Sequence, residues 1–228
     1  MREIVFDTET TGLDPKKGDR MVEIGCVEMF NLVPTGEVFH AYYNPERDMP
    51  AGAEAVHGLS AAFLSDKPLF RNTAHELLDF IGDSPLVAHN AGFDFGFLNA
   101  ELAICEREAI CTSRMVDTVA LAKKRHPGAK LSLDALCSRY GIDRSHRVKH
   151  GALLDAELLA QVYVELKGGR QIGLELAAER AKAAQEDVVA VRQAPDRPRR
   201  EPRHHAPSED ELARHRKFMT GIENPLWG

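Results

Sequence analysis

Apolar and polar positions follow a strand-like pattern over the first part of the chain. The run Ile4-Val5-Phe6 predicts a strand over Arg2–Thr8, and Met21–Phe30, with Val22, Ile24 and Cys26 alternating, predicts a second. A third is expected over Val38–Tyr43, with Pro34, Thr35 and Gly36 as its hairpin connection. From Pro50 the period changes. Residues 50–64 read as a loop with short helical turns, and Ala74, Leu77, Leu78 and Ile81 are spaced for a helix over 72–81. Pro85–Ala88 predicts a short buried strand, leading into a helix to about Glu106 with Phe93, Phe97, Leu98 and Leu102 along one face. Met115–Asp117 predicts another short strand, then a helix ending near His126-Pro127-Gly128. Ser132 caps and Gly141 stops a helix over 132–140. Leu154, Leu158, Val162 and Leu166 fall at four-residue steps on a last core helix, 151–167. Three hairpin-joined strands, then strands alternating with helices, predict an α/β fold: a mixed five-stranded sheet flanked by helices, closing near residue 168.

Beyond that point the pattern dissolves. Residues 183–207 are rich in Ala, Gln, Arg and Pro, the composition of a flexible tether. Ser208-Glu209-Asp210-Glu211 is a capping box that opens a helix to about Met219. Leu212, Phe218, Met219, Ile222, Leu226 and the single tryptophan, Trp227, are too few to build a core. Apolar anchors after a tether predict a docking segment. The chain therefore divides into a folded domain over 1–168, a flexible linker over 169–207 and a docking segment over 208–228.

Composition narrows the classes. With 228 residues, 43% hydrophobic and 28% charged, this is the profile of a globular protein. No basic, apolar leader and no membrane-length apolar run occur, so the expected location is cytoplasmic, with no membrane contact. Cys26, Cys105, Cys111 and Cys137 stand apart without a CxxC pair, the pattern of reduced thiols rather than a zinc site. The net charge is −6, yet residues 192–207 hold five arginines against Asp196 and Glu201, so the negative excess lies in the body. An acidic body grips a phosphate backbone weakly by itself. A nucleic-acid substrate would need bound metals and a partner to supply attraction.

Candidate chemistry begins in the first strand. Asp7 and Glu9 are two residues apart, so both point to one side of a strand. Paired like charges repel; a divalent cation held by carboxylate oxygens relieves that repulsion, and a solvated strand end is the plain alternative. Asp94 stands where a strand gives way to a helix, a place that by itself suits any carboxylate. His150 and Asp155 would lie about 140° apart on an ideal helix, so they converge only if His150 precedes the helix. Asp155, flanked by Leu154 and Leu158, is poorly explained by solvation. Four carboxylates and a neutral histidine suit phosphodiester hydrolysis with two divalent ions, the histidine taking the proton of water.

Three motifs now stand together: Asp7-Thr8-Glu9-Thr10-Thr11-Gly12, His89-Asn90-Ala91-Gly92-Phe93-Asp94, and His150 four residues clear of Asp155. In order, over about residues 2–168, they resemble the motifs of the DEDDh (DnaQ-like) 3′–5′ exonucleases. Gly151 stands where the tyrosine branch of that group would have its tyrosine. The resemblance implies a ribonuclease-H-like fold, with Asp7, Glu9, Asp94 and Asp155 holding two Mg²⁺ or Mn²⁺ ions and His150 as general base. It implies substrate contacts from Asp7, Glu9, Thr10, Thr11, Gly12, His57, Asn90, Phe93 and Asp155. For a further acidic contact seen in some members, Glu54 is the candidate, and Gly52 is the alternative occupant of that place.

Thr73–Glu76, Leu131–Cys137 and His150–Asp155 together resemble members that proofread for a replicative DNA polymerase. That implies a DNA 3′ end as substrate and the catalytic (alpha) subunit of a polymerase as partner of 208–228. A small theta-like subunit belongs to the same expectation. Gln171, Leu174 and Leu176 resemble the Q-x-x-L-x-[LF] peptide that docks on a sliding clamp, the alternative being a helix continuing through 175–182. Two other readings stay in view. An RNA-trimming exonuclease of the same fold has no use for the clamp-like peptide. A non-catalytic assembly subunit has no reason to hold uncompensated carboxylates.

Overall fold

The computed structural model describes residues 1–147, 149–169 and 206–221. Strands β1 (Arg2–Thr10), β2 (Met21–Phe30), β3 (Val33–Tyr42), β4 (Leu86–Ala88) and β5 (Met115–Asp117) form one sheet in the order β3-β2-β1-β4-β5. β1 pairs antiparallel with β2, and β2 with β3, whereas β4 runs parallel to β1 and β5 parallel to β4. The sheet is therefore mixed and five-stranded, as the pattern predicts. Among the described residues up to 169, seven α-helices accompany these strands: α1 (Ala51–His57), α2 (Ala61–Leu64), α3 (Phe70–Ile81), α4 (Gly92–Ile104), α5 (Thr118–Arg125), α6 (Leu133–Tyr140) and α7 (Ala152–Leu166).

One connection differs from expectation. The β2–β3 hairpin turns at Asn31-Leu32, both with positive φ (51° and 65°), and Pro34, Thr35 and Gly36 lie within β3. Left-handed backbone at both central residues is what a two-residue hairpin needs to match strand twist. Pro34, opposite Met29, is tolerated because β3 is the sheet edge, and an irregular register between Val27 and Met29 accommodates it.

Alternation along β1 assigns its side chains to two layers. Ile4 and Phe6 pack with Ala74 and Leu77 of α3 and with Phe95 and Leu98 of α4. Val5 packs on the other face with Val87 and with Ala156, Leu159 and Tyr163 of α7. By the same period Thr8 belongs to the α4 side, and Asp7 and Glu9 to the α7 side. The leucine stripe on α7 does not face the sheet: Leu158, Val162 and Leu166 pack against Ala122 of α5 and Leu136 and Cys137 of α6. Helix α7 is thus buried on two sides.

Its first turn comes unusually close to the sheet. Gly25 of β2 is the register partner of Asp7, and a Cβ on Gly25 would lie 2.3 Å from both the Cα and the backbone nitrogen of Leu153. Only a glycine admits the helix backbone there. Farther along, the Tyr163 hydroxyl donates to Glu3 at 2.7 Å.

The helix Glu209–Met219 belongs to a second unit. Ser208 caps it, its Oγ accepting from the Glu211 nitrogen at 3.3 Å while the Glu211 carboxylate accepts from the Ser208 nitrogen at 2.8 Å. Leu212 and Phe218 are exposed on it. Gln171, Leu174 and Leu176, the tether as far as residue 205, and Ile222, Leu226 and Trp227 lie outside the described residues. Among the described residues no helix is long and apolar enough to cross a membrane.

Candidate active site

The end of β1, the start of α4 and the start of α7 meet at one cleft of about 270 Å³. Asp7, Glu9, Asp94, His150 and Asp155 all line it, together with Asn90 and Phe93. His150 lies ahead of α7, whose N-cap Gly151 is extended (φ −156°, ψ 127°). That extended residue removes the angular separation a helix would impose, and His150 Nδ1 comes within 3.3 Å of Asp155 Oδ2. Glu9, His150 and Asp155 each bring a potential ligand atom within 4.8 Å of the others.

Asp94 and Asp155 are buried, and each sits in the first turn of its helix. The Thr8 hydroxyl donates to Asp94 Oδ1 at 2.7 Å. Asp117, the N-cap of α5, fixes the loop ahead of α4: its Oδ1 accepts from the Asn90 nitrogen at 3.1 Å and from Val119 at 2.9 Å. Asn90 is held there at φ 63°, a left-handed conformation.

Charge is concentrated in this cleft. Burial pushes Glu9 up to about 8, and repulsion from Glu23 and Asp155 adds to it, opposed by Arg147. Burial also pushes Asp94 up to about 7 against the lowering effect of the Thr8 hydrogen bond. Asp7 is raised well above the carboxylate range by burial, then by Asp94 and Glu9. Carboxylates that hold protons near neutrality are a set of hard oxygen donors short of cations. These three, with the buried Asp155 converging on the same cleft, fit hard divalent ions of the Mg²⁺ or Mn²⁺ type.

A pH prediction follows for the metal-free protein. The folded state raises Glu9 from 4.5 to about 8, so it binds more protons than the unfolded chain between those values. The contribution to stability is then complete below 4.5 and lost as pH rises through 8. In chelator, Glu9→Gln and the parent should melt together near pH 5, with the variant melting progressively higher towards pH 8. A parent that melts higher at pH 8 would contradict this sign.

The remaining expected contacts fall around the cleft rather than on its lining. Thr10 donates to the Gly12 carbonyl at 2.6 Å, and the buried Thr11 accepts from the Arg20 nitrogen at 3.0 Å. A Cβ on Gly12 would strike the Asp19 carboxylate. His57 ends α1, buried, with Nδ1 accepting from the Leu59 nitrogen at 3.0 Å and Nε2 without a partner among the described residues. Gly52 and Glu54 both lie on α1. Thr8, Asp117, Gly25 and Arg147 shape the site and escaped the reading of the sequence. Arg147 had a signal, because four converging carboxylates call for a nearby cation and it stands three residues before His150.

Residues 4–163 match the exonuclease family (RNase_T). The chain belongs to that exonuclease family. Over 225 residues this exonuclease is 48% identical to the DNA polymerase III subunit epsilon of Rickettsia felis, covering 97% of each chain. It is 46% identical to the DNA polymerase III subunit epsilon of Escherichia coli over 176 residues, 74% of this chain and 72% of that one. The solved structure of exonuclease X in complex with 5′-overhanging duplex DNA superposes with a TM-score of 0.55 at 25% identity, over 72% of this chain and 89% of that one. The nuclease domain of 3′hExo, a DEDDh family member bound to rAMP, shares the fold of the exonuclease with a TM-score of 0.63 at 15% identity, over 72% and 90% of the two chains.

Proposed function

We propose that this exonuclease removes mispaired nucleotides from the 3′ end of DNA as monophosphates, proofreading for a replicative polymerase. The observation that supports it most is the convergence of Asp7, Glu9, Asp94, His150 and Asp155 on one cleft. Two divalent ions, when bound, supply an activated water and stabilise the charge on the attacking and leaving oxygens. Asp7, Glu9 and Asp155 would hold them, and Asp94 would hold the second. His150 is half-exposed at the rim, where it can take the proton of water and pass it to solvent. Thr8 keeps Asp94 in its ligating rotamer. His57 offers its Nε2, which has no partner among the described residues, to the terminal nucleotide, and Asn90, Phe93, Thr10, Thr11 and Gly12 complete the enclosure.

Near-full-length likeness to epsilon subunits supports DNA as substrate and the catalytic subunit of a polymerase as partner. The capped helix Glu209–Met219, with Leu212 and Phe218 exposed, is the described part of the segment assigned to that partner. Gln171, Leu174 and Leu176 are assigned to a sliding clamp on sequence grounds, and a theta-like subunit remains part of the proposed assembly.

The test is to compare a 5′-labelled single-stranded DNA with its RNA equivalent, each with Mg²⁺ and the purified chain. Faster stepwise shortening of the DNA from its 3′ end is expected. Preference for RNA would replace this reading with an RNA-trimming role, and no cleavage of either, with Mn²⁺ as well, would leave an assembly subunit.

A further inference from the structure

Arg147 lies in the segment between α6 and α7, with its side chain only 9% exposed. Its Nε donates to Asp155 Oδ1 at 2.5 Å and its Nη2 to Asp155 Oδ2 at 2.6 Å. Both oxygens of one carboxylate are therefore covered by a fork whose geometry matches them. Nη2 also faces His150 Nδ1 at 2.8 Å, and Nη1 donates to Asp134 Oδ1 at 2.9 Å. A guanidinium can only donate, so Nδ1 is the acceptor and the other ring nitrogen of a neutral imidazole carries the hydrogen. That arrangement leaves the ring of His150 without a free lone pair.

Among the described residues lining the cleft, Arg147 is the one Lys or Arg. It stands among five carboxylates, Asp7, Glu9, Asp94, Asp134 and Asp155, with a single charge, seated on the one that reaches the cleft from α7. Asp134 offers it a second seat, shared with Arg144: that carboxylate is half-exposed, lines the same cleft, and its Oδ1 accepts from Arg147 at 2.9 Å and pairs with Arg144 at 2.8 Å.

We infer that Arg147 is a built-in counter-cation of the metal-free site, occupying the oxygens of Asp155 until a divalent ion takes them. On metal entry the guanidinium gives up Asp155 and His150 and keeps Asp134. Arg147 therefore competes with metal, and metal loading is what frees His150. The inference rests on the reading of Asp155 as a metal ligand.

The test is calorimetric titration of Mn²⁺ into the metal-free full chain, with melting curves in chelator and in saturating Mn²⁺. Losing a charge-assisted bidentate pair removes the competitor, so Arg147→Gln should bind Mn²⁺ about tenfold more tightly or better. It should melt lower than the parent in chelator, with the deficit shrinking in Mn²⁺. Arg147→Lys, a point charge without the fork, should fall between the two, and it decides the matter if the glutamine variant does not fold. Affinity equal to or below that of the parent in both variants, or a melting deficit undiminished by Mn²⁺, would overturn the counter-cation. Asp155→Asn separates the two claims. If it binds Mn²⁺ as the parent does, the metal reading itself fails, whatever Arg147→Gln shows.

Discussion

Asp155→Asn should lower metal-dependent hydrolysis of a single-stranded DNA by about 10³-fold or more while leaving the chain folded. The size follows from what Asp155 would support as the metal ligand proposed above. Metal stabilisation of developing charge is worth several kcal/mol, and each 1.36 kcal/mol is about tenfold in rate. The fold should survive because Asp155 adds no apolar packing: Ala156, Leu159 and Tyr163 hold α7 to the sheet, and Leu158, Val162 and Leu166 hold α5 and α6 to α7. The substitution also removes one of four mutually repelling carboxylates, offsetting the partner that Arg147 loses. Single-turnover rates and a melting curve check both halves. A rate within tenfold of the parent would mean that the catalytic centre lies elsewhere.

The second large effect is expected at a residue with no side chain. Gly25→Ala sets a methyl 2.3 Å from the backbone of Leu153, and backbone cannot rotate out of the way. Either β2 or the first turn of α7 must move. Overpacking of this kind costs about 1–3 kcal/mol or somewhat more, which for a domain of this size lowers the melting temperature by roughly 2–4 °C per kcal/mol. Activity should suffer more than stability, because Asp155 rides on the displaced turn and Asp7 sits opposite Gly25. A misplacement of about 1 Å in a positioned group can cost about 10²-fold. Thermal melting paired with kcat measures the two together. An unchanged melting temperature would show that strand and helix do not approach as closely as described.

Local signals in the sequence were read well where local chemistry decides the structure. The alternation of Met21–Phe30, the caps Ser132 and Gly141 and the capping box at Ser208 all define elements with the expected limits. The β2–β3 turn was not legible, because Asn31 and Leu32 hold left-handed backbone without a glycine, while Pro34 and Gly36 mimic a turn inside an edge strand. The acidic residues stood out because each interrupts an apolar run. Their supports did not. Thr8 meets Asp94 across 86 positions, and Asp117 reaches Asn90 across 27. Gly25 looks like a weak point in a strand until α7 is seen to need the space. Such residues are defined by tertiary approach, and no periodicity records it.

Asp7 and Glu9 come from β1, whereas Asp155 comes from α7, roughly 150 residues later in the chain. At about 5–20 residues per second, a ribosome needs on the order of 7–30 s to travel between them. Throughout that interval, even once Asp94 of α4 has been made, a nascent chain holds an incomplete acidic centre and has no means of closing it. Hydrolytic competence would therefore arrive in one step, when the last helix docks, and any product of translation aborted before it would be inert towards the nucleic acid around it.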